Sequence, residues 1–412
     1  KVSSIQLLRQ EEESGGTPLS KQQYKIQIQS KDKTNTEELF DAVILATGSA
    51  SIGYQLAQSI LQQAKHTNLQ VDENSFISPV PSLFTLNTKL DIKEEGCLLY
   101  GLSGVSVPKA HVRYEPPSEV ADTSHDTTGN PKYNNNNNNK KKKKRGGKKA
   151  AHLQQEGPLL VTHHGVSGPA VLRLSAFGAR DFHQANYRGT LIIHWAPGLG
   201  TVEDITNALW KMTQTNPRRM VVTGCPLSIT TTVKDSSSSM SMESSKNDNN
   251  NQQQQQQKLG FTEKTIAAIP KRLWASLVTN GSDIAPSTTW GEVNKKAVRK
   301  LATQIADCRL DVTGKGTFKE EFVTAGGVSL REIDMRTMMS KSCSGFFLCG
   351  EVINVDGVTG GFNFMNCWGT GHVAGASAVD YCFSDIETGA DDDTGVGKST
   401  SANSFKDDAK AA

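Results

Sequence analysis

The sequence predicts an α/β protein that has a parallel sheet, an inserted antiparallel β domain and a small helical subdomain. An apolar run over 345–349, a glycine-rich loop and a small-residue helix from about Asn363 follow one another, which is typical of a strand–turn–helix unit. Phe40 to Ala46 is a second apolar run and predicts a fully buried parallel strand. Between these two segments, short alternating runs predict antiparallel strands and amphipathic stretches predict helices.

Residues 1–75 are predicted to form the first part of the sheet domain. Tyr24 to Ile28 alternates apolar and polar residues, which predicts a half-buried strand. The strand over 40–46 ends in Ala46-Thr47-Gly48, and a helix is predicted from about 52 to 65.

Residues 76–200 are predicted to form the β-rich insert, with a disordered loop at 116–156 that contains six asparagines and a lysine run. After the loop, the pattern predicts a strand over 159–162, a turn, and a helix from Ala170 to Phe177 with Ser167 as its cap.

Residues 201–308 are predicted to be the helical subdomain, with helices at 202–214, 262–279 and 291–306. A low-complexity insert at 228–258 interrupts it. Residues 309–385 are predicted to return to the sheet domain through strands at 310–312 and 318–323, and 386–412 to be a disordered tail.

Composition limits the classes of partner. The formal net charge is +3, but residues 140–149 hold eight cations, and without them the charge is −5. The remainder of the chain therefore argues against a nucleic-acid partner, and a solvated loop is the favoured interpretation of the lysine run. No apolar run reaches transmembrane length, which predicts no membrane partner. The sequence does not predict an oligomeric state.

Seven scattered cysteines without a C-x-x-C pair predict reduced thiols in an intracellular protein. We expect the cytoplasm or an organelle, and no targeting segment is visible in the chain.

Two stretches carry residues suited to chemistry. The start of the helix after the glycine-rich loop offers free N–H groups and a positive dipole end, which suits a phosphate or a negatively charged ring edge. His163 and His164 precede the predicted helix at 170–177, where a histidine could transfer a proton. We take His163 and Ser167 as candidate catalytic residues, and the alternative is that this turn only orients the helix. The pair has too few ligands for a metal site, so none is predicted.

The stretch GFFLCGEVINVDGVTGGFNFMNCWGTGHVAG, at 345–375, resembles the C-terminal FAD motif of the BaiN/YhiN-type flavoproteins. Further similar stretches are VTAGGVSLREIDMRTMMSK at 323–341 and GPLLVTHHGVSGPAVLRLSAFGAR at 157–180. The resemblance implies an FAD/NAD(P)-binding Rossmann-like domain and an FAD-dependent oxidoreductase. It also implies NAD(P)H as the electron donor and a small-molecule acceptor, such as an activated C=C bond.

The resemblance also implies the cofactor-binding residues. Glu351 would lie near the ribityl–pyrophosphate region, unless it is a surface or capping residue. The N–H groups from Gly360 to Asn363 would face the N1–C2=O edge of the flavin. The full predicted set is Thr47, Gly48, Gly350, Glu351, Asp356, Thr359, Gly360, Gly361, Phe362 and Asn363.

The chain departs from the family pattern in two places. The loop after Ser49 is shorter than expected, and no G-x-G-x-x-G motif, which would hold the ADP half of FAD, follows an N-terminal strand. The nearest string, Gly369-x-Gly371-x-x-Ala374, lies inside a predicted helix, where its glycines are expected to allow close helix–sheet packing. We expect an N-terminally incomplete version of such an enzyme. The alternatives are a non-catalytic flavoprotein-fold remnant and a flavin enzyme acting on RNA, for which the lysine run is the support.

Overall fold

The structure is a computed structural model of the 412-residue chain. It describes residues 2–8, 22–29, 35–66, 71–88, 97–117, 151–234, 261–316 and 323–384. Most of the predicted loop at 116–156, most of the predicted insert at 228–258 and the predicted tail therefore lie outside the described residues.

The secondary structure of the described residues consists of helices and short strands in mixed order. The α-helices are α1 (Ser51–His66), α2 (Pro169–Phe177), α3 (Ala179–Gln184), α4 (Val202–Thr215), α5 (Lys271–Thr279), α6 (Lys295–Ala306) and α7 (Gly360–Phe383). The strands are β1 (Val2–Leu7), β2 (Tyr24–Gln29), β3 (Asn35–Phe40), β4 (Val43–Leu45), β5 (Phe76–Ser82), β6 (Leu86–Thr88), β7 (Ser106–Glu115), β8 (Gln154–Val161), β9 (Gly165–Ser167), β10 (Gly189–His194), β11 (Ser228–Lys234), β12 (Phe261–Ala267), β13 (Cys308–Lys315), β14 (Val323–Val328), β15 (Ile333–Asp334), β16 (Met339–Ser340) and β17 (Phe346–Leu348).

The sheet domain is built on one parallel pair of strands. β17 pairs with β4 in parallel, within a four-stranded sheet of order β15-β16-β17-β4. Helices α1 and α7 contribute buried side chains to the same hydrophobic core as these strands. Val43 and Leu45 are buried, but Ile44 between them is 43% exposed. The prediction of a fully buried strand was therefore wrong, because the described residues cover one face of β4.

A second, antiparallel sheet of order β1-β2-β3 joins the sheet domain. It is anchored by Tyr24, which is buried and whose hydroxyl donates a hydrogen bond to Ser344 O at 2.6 Å. The Tyr24 ring lies 6.1 Å from the ring of Phe346 on β17. This anchor joins segments 320 residues apart in the chain.

The inserted β-rich part forms a closed antiparallel barrel of order β10-β13-β6-β9-β8-β7. Two of its features correct the sequence-based boundaries. Residues 151–156, expected in the disordered loop, form a 3-10 turn and the start of β8. β13 was expected to lie in the return to the sheet domain, but it closes the barrel by pairing with β10 and β6.

The helical subdomain packs on the barrel and shares its hydrophobic core. Trp274 on α5 is buried there and donates its indole N–H to Val221 O at 2.8 Å. The predicted helix at 262–279 begins only at Lys271, because residues 261–267 form β12, which pairs with β11. β11 in turn occupies the first residues of the predicted low-complexity insert.

Two segments connect the barrel to the sheet domain. β5 pairs with β14, so the chain leaves and re-enters the sheet domain as one ladder. Beyond β14, Glu332 is 3% exposed and receives hydrogen bonds from the hydroxyls of Ser75, Ser340 and Ser342. A buried carboxylate is tolerated where several donors satisfy it, so Glu332 joins three segments of this domain.

Helix α7 is more exposed than its sequence predicts. A Cβ atom placed at Gly369, Gly371 or Gly375 would meet no atom within 4 Å. The expectation that these glycines allow close helix–sheet packing therefore fails within the described residues. The same helix exposes large apolar side chains, including Phe364 at 61% and Trp368 at 67%. Among the described residues, no helix has the length and apolar character needed to cross a membrane.

The fold predicts a graded reactivity of its thiols. Burial raises the pKa of both Cys308 and Cys343 to about 12, whereas Cys382 is exposed. Because the thiolate is the nucleophile, a disulfide reagent at pH 8 should modify Cys382 long before Cys308 or Cys343. Mass spectrometry of timed samples checks the order, and a Cys382→Ser variant should lack the early adduct. Early modification of Cys308 in native protein would contradict the packing described here.

Candidate active site

The candidate site lies where the last parallel strand leads into α7. β17 ends at Leu348, and Gly350 makes a turn with φ +74°, a conformation that glycine adopts without strain. A single 3-10 turn over Gly350–Val352 follows, and the chain then runs through Asp356 to the start of α7. We call the segment 356–363 the flavin turn, because most of the predicted cofactor-binding residues lie in it.

One side chain holds the flavin turn. Asn363 Oδ1 accepts a hydrogen bond from Gly357 N at 2.8 Å, and Asn363 Nδ2 donates to Gly357 O at 3.0 Å and to Thr359 O at 2.9 Å. The amide therefore satisfies three backbone groups of the turn, the N–H and C=O of Gly357 and the C=O of Thr359. We call these three bonds the Asn363 clamp. The sequence predicts a backbone role for Asn363, and the structure adds this side-chain role.

Two further polar side chains of α7 hold Gly350. Thr370 Oγ1 accepts a hydrogen bond from Gly350 N at 2.9 Å, and Asn366 Nδ2 donates to Gly350 O at 3.5 Å. Positions 363, 366 and 370 share one face of a helix, so they form a polar stripe along the first half of α7. Sequence reasoning missed Asn366 and Thr370, although this spacing was a usable signal.

Glu351 is held by the strand that follows the barrel. Its Oε1 accepts a hydrogen bond from Thr324 N at 2.9 Å, and its backbone carbonyl accepts one from the hydroxyl of Tyr54 at 3.0 Å. Burial raises the pKa of Tyr54 to about 12, so its hydroxyl remains a donor at neutral pH. Glu351 therefore ties β14 and α1 to the start of the flavin turn, a role that sequence reasoning did not foresee.

The corner after β4 brings Thr47 against α1. A Cβ atom at Gly53 would lie 1.7 Å from Thr47 Oγ1, so only glycine fits at this point of α1. Thr47 Oγ1 is buried and has no hydrogen-bond partner within the described residues. Gly48 has φ +60°, and a Cβ there would meet nothing within 4 Å. An unsatisfied hydroxyl beside open space at a glycine is compatible with the predicted cofactor contact.

Asp356 is the half-buried carboxylate of the flavin turn. The hydroxyl of Ser82, at the end of β5, donates to Asp356 Oδ2 at 3.4 Å. Burial raises the pKa of Asp356, while the Ser82 hydrogen bond and the nearby Arg180 guanidinium oppose that shift. The carboxylate thus joins the flavin turn to the β5–β14 ladder.

The start of α7 fits the flavin ring that the resemblance implies. Thr359 is the N-cap residue and makes no side-chain capping bond. A Cβ atom at Gly360 or Gly361 would meet nothing within 4 Å, and Phe362 is 65% exposed. The helix start therefore has N–H groups without a side-chain cap, and its two glycines leave open space beside them at a positive dipole end, which suits an electron-rich ring edge.

The candidate catalytic residues lie on the barrel. His163 is exposed in the bend between β8 and β9, and Ser167 is the last residue of β9. Gly168, not Ser167, is the N-cap residue of α2 and makes no side-chain bond, so the capping prediction was wrong; Pro169 does occupy the first turn. Neither His163 nor Ser167 lines the cavity that opens beside the flavin turn, and their catalytic role stays a prediction.

That cavity lies at the junction between the barrel and the flavin turn and has a volume of about 460 Å³. Leu83, Pro158 and Arg173 line its barrel side, and Thr359 and Gly360 line its other side. Within the described residues, no cluster of three His, Cys, Asp or Glu side chains could hold a metal ion.

A family model described as the HI0933-like protein Rossmann domain matches residues 5–377 of this chain. The chain is also 26% identical over 210 residues to the ribosomal RNA dihydrouridine synthase of Escherichia coli (strain K12). That match covers 51% of this chain and 39% of the relative. The protein of the same name from Haemophilus influenzae is 25% identical over 219 residues, with coverage of 53% and 41%.

The 3-dehydro-bile acid delta(4,6)-reductase of Clostridium scindens is 35% identical over 71 residues, which is 17% of each chain. The present chain thus spans about two fifths of the length of the two dihydrouridine synthases.

The Asn363 clamp predicts the effect of removing its amide. Asn363→Ala removes three hydrogen bonds and leaves Gly357 N without its partner, which should cost about 1–3 kcal/mol of unfolding free energy. Denaturant unfolding measures the cost, and hydrogen exchange should show faster exchange at Gly357 in the variant. Asn366→Ala, which loses one longer bond, is the matched control and should have a smaller effect. Unchanged exchange at Gly357 in Asn363→Ala would refute the clamp.

Asp356 predicts a pH-dependent contribution to stability. Because its pKa is higher in the folded than in the unfolded protein, its charged form destabilises the fold. That penalty is complete above the folded pKa and vanishes below the unfolded value of about 3.9. Asp356→Asn should therefore raise the melting temperature at pH 7, and the gain should shrink as the pH falls towards 4.

The control variant for this experiment should change stability in the opposite direction. Arg336 lowers the pKa of Asp334, so Asp334→Asn should lower stability at pH 7 and lose that effect in acid. A gain in Asp356→Asn that grew on acidification would contradict the assignment.

Proposed function

The chain belongs to the HI0933-like family of FAD-dependent oxidoreductases, and from this premise we propose that it binds FAD and reduces a small-molecule acceptor. NAD(P)H is the proposed electron donor. The observation that carries the proposal is the flavin turn, where the Asn363 clamp presents the uncapped start of α7 to open space. When bound, FAD supplies hydride transfer through its N5 atom.

The residues of the flavin turn would set the charge around the flavin ring. The N–H groups of Gly360, Gly361 and Phe362 lie at the positive end of the α7 dipole. There they would stabilise the negative charge that a flavin gains on reduction, which favours accepting a hydride. Glu351 would act indirectly, because its bond to Thr324 N fixes the segment that leads into the turn.

An activated carbon–carbon double bond is the proposed acceptor. The names of the relatives, a dihydrouridine synthase and a delta(4,6)-reductase, both refer to saturation of such a bond. One hydride and one proton would add across the bond, while NAD(P)H is oxidised to NAD(P)⁺. At the cavity beside the flavin turn the proton would come from solvent, because His163 does not line it; His163 would be the donor only for an acceptor bound against the bend between β8 and β9.

Reduction of uridine in RNA is the second candidate function. Two relatives that match about half of this chain carry the name ribosomal RNA dihydrouridine synthase. The exposed face of α6 also carries Lys295, Lys296, Arg299 and Lys300 with no acidic residue in the helix. Arg299 pairs with Glu203 at 3.2 Å, and Lys300 pairs with Asp283. Cations on one face suit a phosphate backbone, and binding to it would weaken steeply with salt.

The visible absorption spectrum of the purified chain tests the first function. We expect flavin bands after FAD is added and excess removed, and we expect them to bleach when NADPH or NADH is added without oxygen. Bleaching that is reversed by an enone but not by its saturated analogue would support the acceptor class. A chain that takes up no FAD would overturn the proposal. Reoxidation only by a uridine-containing RNA would favour the second candidate.

A further inference from the structure

We propose that the 460 Å³ cavity beside the flavin turn binds the acceptor, and that the acceptor is an apolar molecule bearing one carboxylate. The identification of the ligand as the acceptor rests on the proposed function. The shape and charge of the cavity do not depend on flavin. The volume lies in the range of about 300–1,000 Å³ that is usual for small-molecule sites.

The position of the cavity favours an acceptor site. Its walls come from two parts of the fold: Leu83, Pro158, Pro169 and Leu172 from the barrel side, and Val358 to Gly360 from the flavin turn. A molecule in the cavity therefore contacts the start of α7 directly. Small-molecule sites occur preferentially at such interfaces between two parts of a fold.

The chemistry of the walls sets the class of ligand. Most lining side chains are aliphatic or proline, so the walls suit an apolar body. Arg173 is the one charged residue among the lining residues. One cation in an apolar wall is the arrangement that recognises a hydrophobic acid.

Arg173 is incompletely satisfied in the described structure. Its Nη2 donates to the backbone carbonyl of Glu156, but its Nε is buried and has no hydrogen-bond partner within the described residues. The described side chains also give it no ion pair within 4 Å. Arg173 is partly buried, and a carboxylate in the cavity would give its guanidinium the anionic partner that no described side chain supplies.

The backbone beside the cavity is strained at one residue. Leu83 has φ +55°, a left-handed conformation that is rare for a bulky residue, and its side chain is buried in the wall. Phe84, the next residue, is fixed by a 2.9 Å bond from its N–H to Ser175 Oγ on α2. Strained backbone persists where surrounding structure holds it, and such positions concentrate at binding sites.

Equilibrium binding of 2-naphthoate to the full chain without flavin tests the proposal. The neutral analogue 2-naphthylmethanol has the same rings and is the matched probe. Wild-type protein should bind naphthoate at least about tenfold more tightly than the alcohol, because hydrogen bonds to charged groups are stronger than neutral ones. Equal affinities for the two probes would overturn the assignment to Arg173.

Variants locate the binding. Arg173→Met should reduce naphthoate affinity by at least about tenfold while leaving the weak affinity for the alcohol unchanged. Leu172→Trp should reduce the affinity for both probes, because it fills the cavity without changing charge. Arg218→Met, at an exposed arginine that does not line the cavity, is the control and should bind like wild type. Naphthoate binding that survives both cavity variants would place the probe elsewhere, such as on the exposed face of α7, and would overturn the proposal.

The binding test can succeed or fail independently of the test of the proposed function. Arg173-dependent naphthoate binding in a chain that never takes up FAD would support the cavity and refute the enzyme. A chain that is reduced by NADPH but shows no Arg173-dependent binding would support the enzyme and refute this cavity as its acceptor site.

Discussion

The Asn363 clamp is the constraint on which the rest of the candidate site depends. A turn with three glycines, Gly357, Gly360 and Gly361, has little intrinsic preference for one conformation, because glycine is the most permissive residue. Three bonds from a single amide select one conformation of the turn at the start of α7. Thr370 and Asn366 then hold α7 to Gly350 beside the last strand. The direction of the helix dipole, and with it the electrostatic character of the site, follows from that choice.

The remainder of the molecule positions this turn from two sides. On one side, the parallel pairing of β4 with β17 places the corner at Thr47 and the turn at Gly350 at the same sheet edge. On the other side, the closed barrel brings α2 and its Arg173 to the far wall of the cavity. The β5–β14 ladder connects the two parts, and the bond between Ser82 and Asp356 ties that ladder to the turn. Cofactor recognition and acceptor recognition can therefore reside in different parts of one chain.

The sequence predicted the local features of this fold well. The strands at 43–45 and 346–348, helix α1 and the glycine turn at Gly350 follow from apolar runs and turn residues, which are local signals. The similarity of residues 345–375 to a flavoprotein motif also predicted the family that the model over 5–377 identifies.

The features that sequence reasoning missed depend on residues distant in the chain. β13 closes the barrel by pairing with strands more than a hundred residues earlier, and nothing in its own composition reveals that partner. The contact of Tyr54 with Glu351 and the position of Arg173 across the cavity from the flavin turn are likewise products of tertiary packing. The hairpin of β11 and β12 was hidden because a low-complexity stretch separates its strands.

The most direct test of this account is the affinity for FAD, measured by titration, of a chain in which the space over the start of α7 is filled. Gly361→Leu places a side chain where a Cβ atom meets nothing within 4 Å, so the fold and the melting temperature should be retained. Gly375→Leu, in open space farther along the same helix, is the control. The account predicts that Gly361→Leu loses FAD binding while Gly375→Leu binds like wild type. Equal FAD affinity in wild type and Gly361→Leu would contradict the placement of the flavin edge at this turn.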